Sequence, residues 1–393
     1  MRIAFVTETY PPEINGVSLS VARVIEKLRA RNHEIQLVRP RQDGDAVSAR
    51  RSAAEEVLVR GFPLPRYPGL RFGLPAGRTL LDLWSRARPD LVHIVTEGPL
   101  GWSALKAATQ LKVPVTSDFR TNFHVYSRHY GLGWLQHAVT TYLRRFHNST
   151  LVTMVPTAQQ QRTLSNAGFE SLVVVARGVD TVLFQPARRD HELRRSWGAG
   201  PDDAVVMHVG RLAPEKNLPL LFDAFAAIRQ RCPGARFVMV GDGPSRPALR
   251  RQYPEVNFTG TRRGEELAAH YASGDLFLFP SMTETFGNVT LEAMASGLAV
   301  VAYNYAAAAA HIKHCQNGFL AAYGDADEFS RFAAEAVTHM KALRRMRAAA
   351  RFTAQTLDWD RIVADLEALF FSVTEAALVC KGMNATRTDR APA

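Results

Sequence analysis

Cysteine is scarce in this sequence. Cys232, Cys315 and Cys380 are the only three, and they stand far apart. Such spacing supports neither a disulfide framework nor a thiolate metal cluster, and it suits a reducing, cytoplasmic setting. Long apolar runs are lacking too. The opening residues, MRIAFVTETYPP, carry one early Arg and a short apolar run, so they are expected to form a first strand and not a signal peptide. The most apolar longer stretch, GLAVVAYNYAAAAA, is mostly alanine and is broken by Asn304, which excludes a membrane span there. Zinc-finger, RNP-type and KH-type patterns are missing as well, which argues against nucleic acid as a partner.

What is present is an ordinary globular composition with a basic excess. The 393 residues are 47% hydrophobic and 22% charged, with a formal net charge of +11. That length exceeds what one core usually supports, so two domains are expected. The positive charge points to anionic nucleotide substrates or to an anionic membrane surface. Short apolar strands alternate with helical stretches throughout, which predicts an α/β protein with parallel, doubly wound sheets. RIAFVTE, HEIQLVRP, DLVHIVT, VPVTSDF and LVTMVP read as strands of the first half; AVVMHVGRL, ARFVMVGDG, VNFTG, DLFLFPS and LAVVAY read as strands of the second. Val21, Val24, Ile25 and Leu28 recur at helical spacing. The polar, strand-free stretch from Gln185 to Gly200 suggests a boundary, with residues 1–187 and 188–357 as two Rossmann-like domains binding ligand across a cleft, at the carboxyl ends of their strands.

Glu284 and Glu292, with seven residues between them in SMTETFGNVTLEAMASG, are the strongest chemical feature. Glu284 falls on a loop leaving a strand, and Glu292 about one turn inside the helix that follows. The first free amides of that helix, from Asn288 onward, offer an anion site between the two carboxylates. Carboxylates accept hydrogen bonds from neutral hydroxyls, so the pair suits a sugar joined to a diphosphate. GRLAPEKN places Arg211 and Lys216 after another strand, where a planar fork and a point charge can stabilise a departing phosphate. In TYPPEINGV, Asn15 and Gly16 precede a helix and allow close backbone approach. VGDGPSRPAL has Arg246 in place of the third Gly of a dinucleotide box, so Gly241 and Gly243 are read as shaping a turn in the nucleotide pocket. Two Asp-x-Asp triplets, Asp43–Asp45 and Asp325–Asp327, lie in polar stretches and read as surface turns and not as metal ligands. No metal and no cofactor are expected. HAVTTYLRRFHN mixes Tyr142, Leu143 and Phe146 with Arg144 and Arg145, a face that could rest on anionic lipid.

PSMTETFGNVTLEAMASGLAVVA resembles the E-x7-E signature of retaining glycosyltransferases of family 4, whose fold is GT-B, and the resemblance runs from the ETYPPEINGV loop to the helix at Trp359. Nearest in kind are bacterial GDP-mannose-dependent α-mannosyltransferases and the sulfolipid and glycosyl-diacylglycerol synthases. The resemblance implies that Glu284 approaches the donor sugar hydroxyls and Glu292 the ribose, with Arg211 and Lys216 on the phosphates. It extends the expected donor contacts to Asn15, Gly16, Gly210, Gly241, Gly243, Phe286, Gly287, Asn288, Val289 and Thr290. Where many relatives carry a His that reaches the sugar, this chain has Arg120, with His124 four residues on, and either could serve. It further implies a closing helix, 358–380, crossing back to the first domain, ahead of a disordered tail at 381–393. The expected activity is transfer of a hexose, mannose before glucose, from a nucleotide-diphosphate sugar to a lipid or glycolipid hydroxyl. The alternatives are a nucleotide-sugar epimerase and a non-catalytic basic membrane-binding protein.

Overall fold

The structure, a computed structural model, describes residues 1–13, 15–42, 45, 56–63, 71–120 and 136–388. They divide into two compact units, residues 1–176 with 359–393, and residues 177–358.

In the first unit the strands are β1 (Arg2–Val6), β2 (Glu34–Pro40), β3 (Glu56–Val59), β4 (Gly61–Pro63), β5 (Arg71–Gly73), β6 (Leu91–Ile94), β7 (Val115–Asp118), β8 (Val152–Val155) and β9 (Leu172–Val174). Seven of them form one parallel sheet in the order β3-β2-β1-β6-β7-β8-β9, and β4 and β5 pair antiparallel beside it. The second unit holds β10 (Val205–Val209), β11 (Arg236–Val240), β12 (Asn257–Gly260), β13 (Leu276–Phe279), β14 (Ala299–Tyr303) and β15 (Gly318–Ala321), in the order β12-β11-β10-β13-β14-β15. All of its pairings are parallel. The strand direction of travel thus reverses between β1 and β6 in one sheet and between β10 and β13 in the other. At such a switch the loops leaving adjacent strands part in opposite directions and open a crevice at the carboxyl ends.

Side-chain alternation explains why these strands read as unbroken apolar runs. In the second unit Val206, Leu276, Leu278 and Val301 enter one core, and Val205, Met207, Phe277 and Val300 enter the other, because helices cover both faces. β3, β9 and β15 were not foreseen. They are edge strands of three or four residues, one opening with Glu and one with Gly, too short for a pattern to stand out.

The chain divides between Ala176 and Arg177, eleven residues ahead of the boundary at 187 read from the sequence. The reason is physical. Val179 donates its amide to the Leu357 carbonyl at 2.9 Å, Phe184 is buried in the second unit's core, and Arg189 and Arg194 reach Asp275. The last helix, Trp359–Thr388, packs Ile362, Val363, Leu366 and Phe370 against Ile3, Phe5, Val21, Val24 and Leu28 of the first unit. Glu367 fastens it, accepting from Arg31 at 2.9 Å and pairing with His33 at 2.6 Å. It continues to Thr388, past the tail expected from 381, since Pro does not occur until residue 392.

The lipid face expected on His137–Asn148 loses two of its apolar members. In the helix Gln136–His147, Leu143 and Phe146 are core residues and Arg144 donates to the Ala167 carbonyl at 3.2 Å, which leaves Tyr142 and Arg145 as the exposed members of that set. Its apolar stripe packs inward.

At the amino edge of the second sheet, buried Asp275 gathers Arg189 (3.0 Å), Arg194 (3.0 Å) and Arg347 (2.6 Å), and also accepts from the Val205 amide at 2.9 Å. Desolvation pushes this carboxyl up, but the three guanidiniums and the amide outweigh it and hold it below its ordinary value. Its stabilising charge is therefore present above the ordinary Asp range and lost as pH falls through the lowered value. Asp275→Asn strands three cations around a neutral amide and is expected to cost about 3–5 kcal/mol, read as a lower midpoint in urea unfolding of the second unit.

Candidate active site

The crevice of the second sheet is built by the loops that leave β10 and β13. After β10, Gly210–Ala213 leads into a single 3-10 turn, Pro214–Lys216, and Asn217 adopts a left-handed conformation (φ 54°) that swings the chain into the helix Leu218–Arg231. That turn delivers Lys216 to Glu284, on the loop after β13, with which it forms a largely buried ion pair. Ser281 donates to the same Glu284 Oε1 at 2.7 Å. Residues 68 apart in sequence are thus joined at the topological switch point.

Arg211 lies on the same loop with its side chain half exposed and 3.9 Å from Glu215, which is itself buried. The loop is laced to its neighbour by backbone hydrogen bonds, Gly210 amide to Val240 carbonyl at 3.0 Å and Leu212 amide to Asp242 carbonyl at 2.9 Å. Gly241 (φ +137°) and Gly243 (φ +158°) make this lacing possible, since a Cβ on either would overlap the carbonyl oxygen of Gly210 or Leu212. Their place here is to hold the Arg211 and Lys216 loop.

Gly287 (φ +89°) turns the chain into the helix Asn288–Ala295, and a Cβ there would press on Phe279 at 3.2 Å, beside the Glu284 side chain. No side chain caps this helix, and while the Thr290 amide donates to the Gly287 carbonyl at 3.0 Å, those of Asn288 and Val289 are available to an anion. Phe286 is buried and takes the Ala307 amide on its carbonyl at 2.8 Å, joining the loop after β14 to the Glu284 loop. Glu284, Ser281, Phe286, Thr290 and Tyr305 line a small recess, and the buried Thr290 Oγ1 has no hydrogen-bond partner.

Glu292 lies one turn into the helix and keeps some exposure to solvent, yet desolvation pushes its carboxyl up to about 7, against the opposing pull of a hydrogen bond from Tyr271. That hydroxyl donates to Glu292 Oε2 at 3.0 Å. Tyr271 is fully buried on the helix Gly264–Ser273 and was missed in the sequence, where it resembles any core aromatic. His208 was missed for the same reason. It sits on β10 without exposure, Nδ1 3.0 Å from the Leu278 carbonyl and Nε2 without a partner, and burial pushes the imidazole down to about 4. A neutral ring thus stands behind the ion pair.

The remaining expected residues belong to the first unit. Asn15 is a helix cap, its Oδ1 accepting from Val17 (3.0 Å) and Ser18 (2.8 Å), and Gly16 begins the helix Gly16–Ala30. Arg120 is buried, donating to Asp118 at 2.7 Å and to Ser20 at 2.5 Å. His124 lies outside the described residues, as do Asp43 and Gly44. Asp45 pairs with Arg39 at 2.7 Å, and Asp325 caps the helix Ala326–Ala336. At the switch point of this first sheet stand Glu8 and Glu97, which the sequence did not single out. Glu8 accepts from the Leu100 amide at 3.2 Å, and desolvation pushes it up to about 7.

Comparison with known proteins agrees with this geometry. Residues 203–339 match the family model described as "Glycosyl transferases group 1", and residues 14–183 match "Glycosyltransferase Family 4". A GDP-mannose-dependent alpha-mannosyltransferase of Mycolicibacterium smegmatis is 36% identical over 88% of this chain and 90% of its own length. A GDP-mannose-dependent alpha-(1-6)-phosphatidylinositol monomannoside mannosyltransferase of Mycobacterium tuberculosis is 30% identical over 93% of this chain and 97% of its own. Sucrose-phosphate synthase from Thermosynechococcus elongatus shares the fold, with a TM-score of 0.79 at 19% identity over 96% of this chain and all of that one.

Gly241→Ala tests the lacing. A methyl at that position forces the two loops apart, at an expected cost of about 1–3 kcal/mol, seen as a lower thermal midpoint together with weaker binding of a nucleotide sugar.

Proposed function

We propose, because this chain belongs to glycosyltransferase family 4, that it moves a hexose from a nucleotide-diphosphate sugar to a lipid or glycolipid hydroxyl, with mannose carried by GDP as the preferred donor. It is a hexosyltransferase of the GT-B class, and the relatives whose names print GDP-mannose and a phosphatidylinositol mannoside support this choice of substrates. The observation that carries the reading is the meeting of Lys216 and Glu284 at the switch point. One loop supplies positive charge and the other a carboxylate, which are the two groups a sugar diphosphate requires.

In the proposed arrangement Lys216, Arg211 and the amides at Asn288 and Val289 receive the diphosphate. Glu284 accepts from sugar hydroxyls, and Glu292, oriented by Tyr271, accepts from the ribose diol. The bond from the anomeric carbon to the phosphate oxygen breaks as the bond to the acceptor oxygen forms on the same face. The acceptor proton passes to the departing phosphate, so no enzyme nucleophile is needed. Arg211 and Lys216 stabilise the charge that develops on the leaving diphosphate, the part a divalent metal plays elsewhere. The reaction is proposed to be metal-independent, in keeping with the engagement of Asp45 and Asp325 in an ion pair and a helix cap. Among the described residues no helix is long and apolar enough to cross a membrane. Peripheral association with the inner face of a membrane is proposed to bring the enzyme to its acceptor.

Glu284→Gln keeps the shape of the loop and removes the charge. Transfer is expected to fall about 100–1000-fold at a temperature where circular dichroism shows the variant folded, since stranding Lys216 lowers the melting midpoint; transfer is measured as nucleoside diphosphate release and glycolipid formation, and wild-type turnover in this variant defeats the reading. Glu292 gives a pH signature. A carboxylate binds the ribose hydroxyls only when ionised, so affinity for GDP-mannose, whose phosphates do not titrate in this range, should rise as pH climbs through about 7. In calorimetry Glu292→Gln should flatten that rise.

A further inference from the structure

The two-stranded sheet of β4 and β5 inverts the usual order of a surface hairpin. Phe62 stands opposite Phe72 and Gly61 opposite Gly73, and the Leu74 amide donates to the Arg60 carbonyl at 2.8 Å. Side chains alternate along a strand, so Arg60, Phe62, Phe72 and Leu74 share one face while the two glycines share the other. The glycine face is the inner one. A Cβ on Gly73 would lie 2.7 Å from Leu100 Cβ, and one on Gly61 2.8 Å from Pro40 Cβ. The aromatic face is turned to solvent, with Phe62 58%, Phe72 39% and Leu74 43% exposed.

A hairpin that merely covered the core would bury its large apolar groups and expose its small or polar ones. Here the glycines let the backbone lie close against the unit, and the aromatics are presented outward at the cost of leaving them in water. Among its neighbours in the sequence the charge is of one sign. Arg60, on the aromatic face, is exposed, and Arg78 is exposed four residues beyond Leu74, while Arg71 belongs to the glycine face and donates to the Arg41 carbonyl at 3.4 Å. From Arg60 to Leu81 the sequence carries no Asp or Glu.

We propose that this face docks into the headgroup region of an anionic lipid bilayer. Phenylalanine and leucine side chains gain from entering the boundary between headgroups and acyl chains, and arginines beside them meet the phosphates. The proposal rests on the lipid-acceptor reading for its purpose, since it brings the first unit to a membrane where such an acceptor resides. It does not rest on it for its measurement.

The test is sedimentation of the intact protein with phosphatidylcholine vesicles, with and without phosphatidylglycerol. Wild type is expected to bind the phosphatidylglycerol vesicles and to be released by salt. The double variant Phe62→Ser, Phe72→Ser should bind on the order of tenfold less, while its thermal midpoint and its affinity for GDP-mannose match wild type. Val182→Ser, at a still more exposed apolar residue of the second unit, should leave vesicle binding unchanged. The proposal falls if wild type does not bind vesicles, if the double variant binds as wild type does, if Val182→Ser loses as much, or if the Phe62 face proves to mediate self-association without vesicle binding. Transfer to a lipid acceptor dispersed in detergent separates the two claims. Vesicle binding that depends on Phe62 and Phe72, without any transfer, keeps the docking face and removes the acceptor reading; transfer with no vesicle binding does the reverse.

Discussion

Lys216 and Glu284 can meet only because the second sheet reverses its winding between β10 and β13. Loops leaving neighbouring strands at any other place in the sheet cross over to flanking helices on the same side and close the space above the strand ends. At the reversal they part, and side chains from both can lean into the gap. Everything chemical in this unit follows from that gap. The two loops carry opposite charges, and the helix after the second loop opens with uncapped amides beside them. The opposite edge of the same sheet shows what charge does when it is structural. There Asp275 is sealed among three arginines with every oxygen occupied. At the crevice Arg211 is left half in solvent and Thr290 keeps a buried oxygen unpartnered, which is the condition of a surface awaiting a ligand.

Holding such a site open has a mechanical requirement that glycine meets. The loop bearing Arg211 and Lys216 has no strand partner of its own, so it is fixed by backbone bonds to the chain around Gly241 and Gly243. The Glu284 loop is fixed in turn by Gly287, which brings the backbone onto Phe279, and by the bond from Ala307 to Phe286. These contacts use main-chain atoms and leave the polar side chains unspent. Tyr271 completes the frame from behind, anchoring Glu292 from a helix that contributes nothing else to the crevice.

Much of this was legible in the sequence because it was written in local patterns. Unbroken Val, Ile, Leu and Phe runs marked the central strands, and the alternation with helices marked the parallel sheets. The Glu284 and Lys216 motifs stood at strand ends, where chemistry collects. What escaped was information that local pattern does not carry. β15 begins with Gly and β9 is three residues long, so pairing and not propensity defines them. The unit boundary moved to Ala176 because Val179 and Arg194 are captured by partners more than seventy residues away. His208 and Tyr271 are indistinguishable from core residues until their buried polar atoms are placed. In the helix Gln136–His147, Leu143 and Phe146 went the other way, since an amphipathic stripe with arginines looks alike whether it faces a core or a lipid.

The arrangement of charge also sets the direction in which a donor can lie. A diphosphate placed beside Glu284 or Glu292 would set anion against anion in a partly desolvated crevice, where such repulsion is far stronger than in water. Beside Lys216, Arg211 and the amides at Asn288 it meets positive potential instead. Sugar and ribose hydroxyls are neutral donors and gain from the carboxylates that the phosphates must avoid. With cations on one loop and carboxylates on the loop and helix across from it, the proposed orientation serves both halves of the molecule at once. Pairing Lys216 with Glu284 in the unliganded chain serves the same end, because it keeps each charge compensated without filling the gap between the loops. In the proposed arrangement the anomeric carbon lies between the group that binds its hydroxyls and the group that receives its leaving phosphate, which is the position from which transfer must begin.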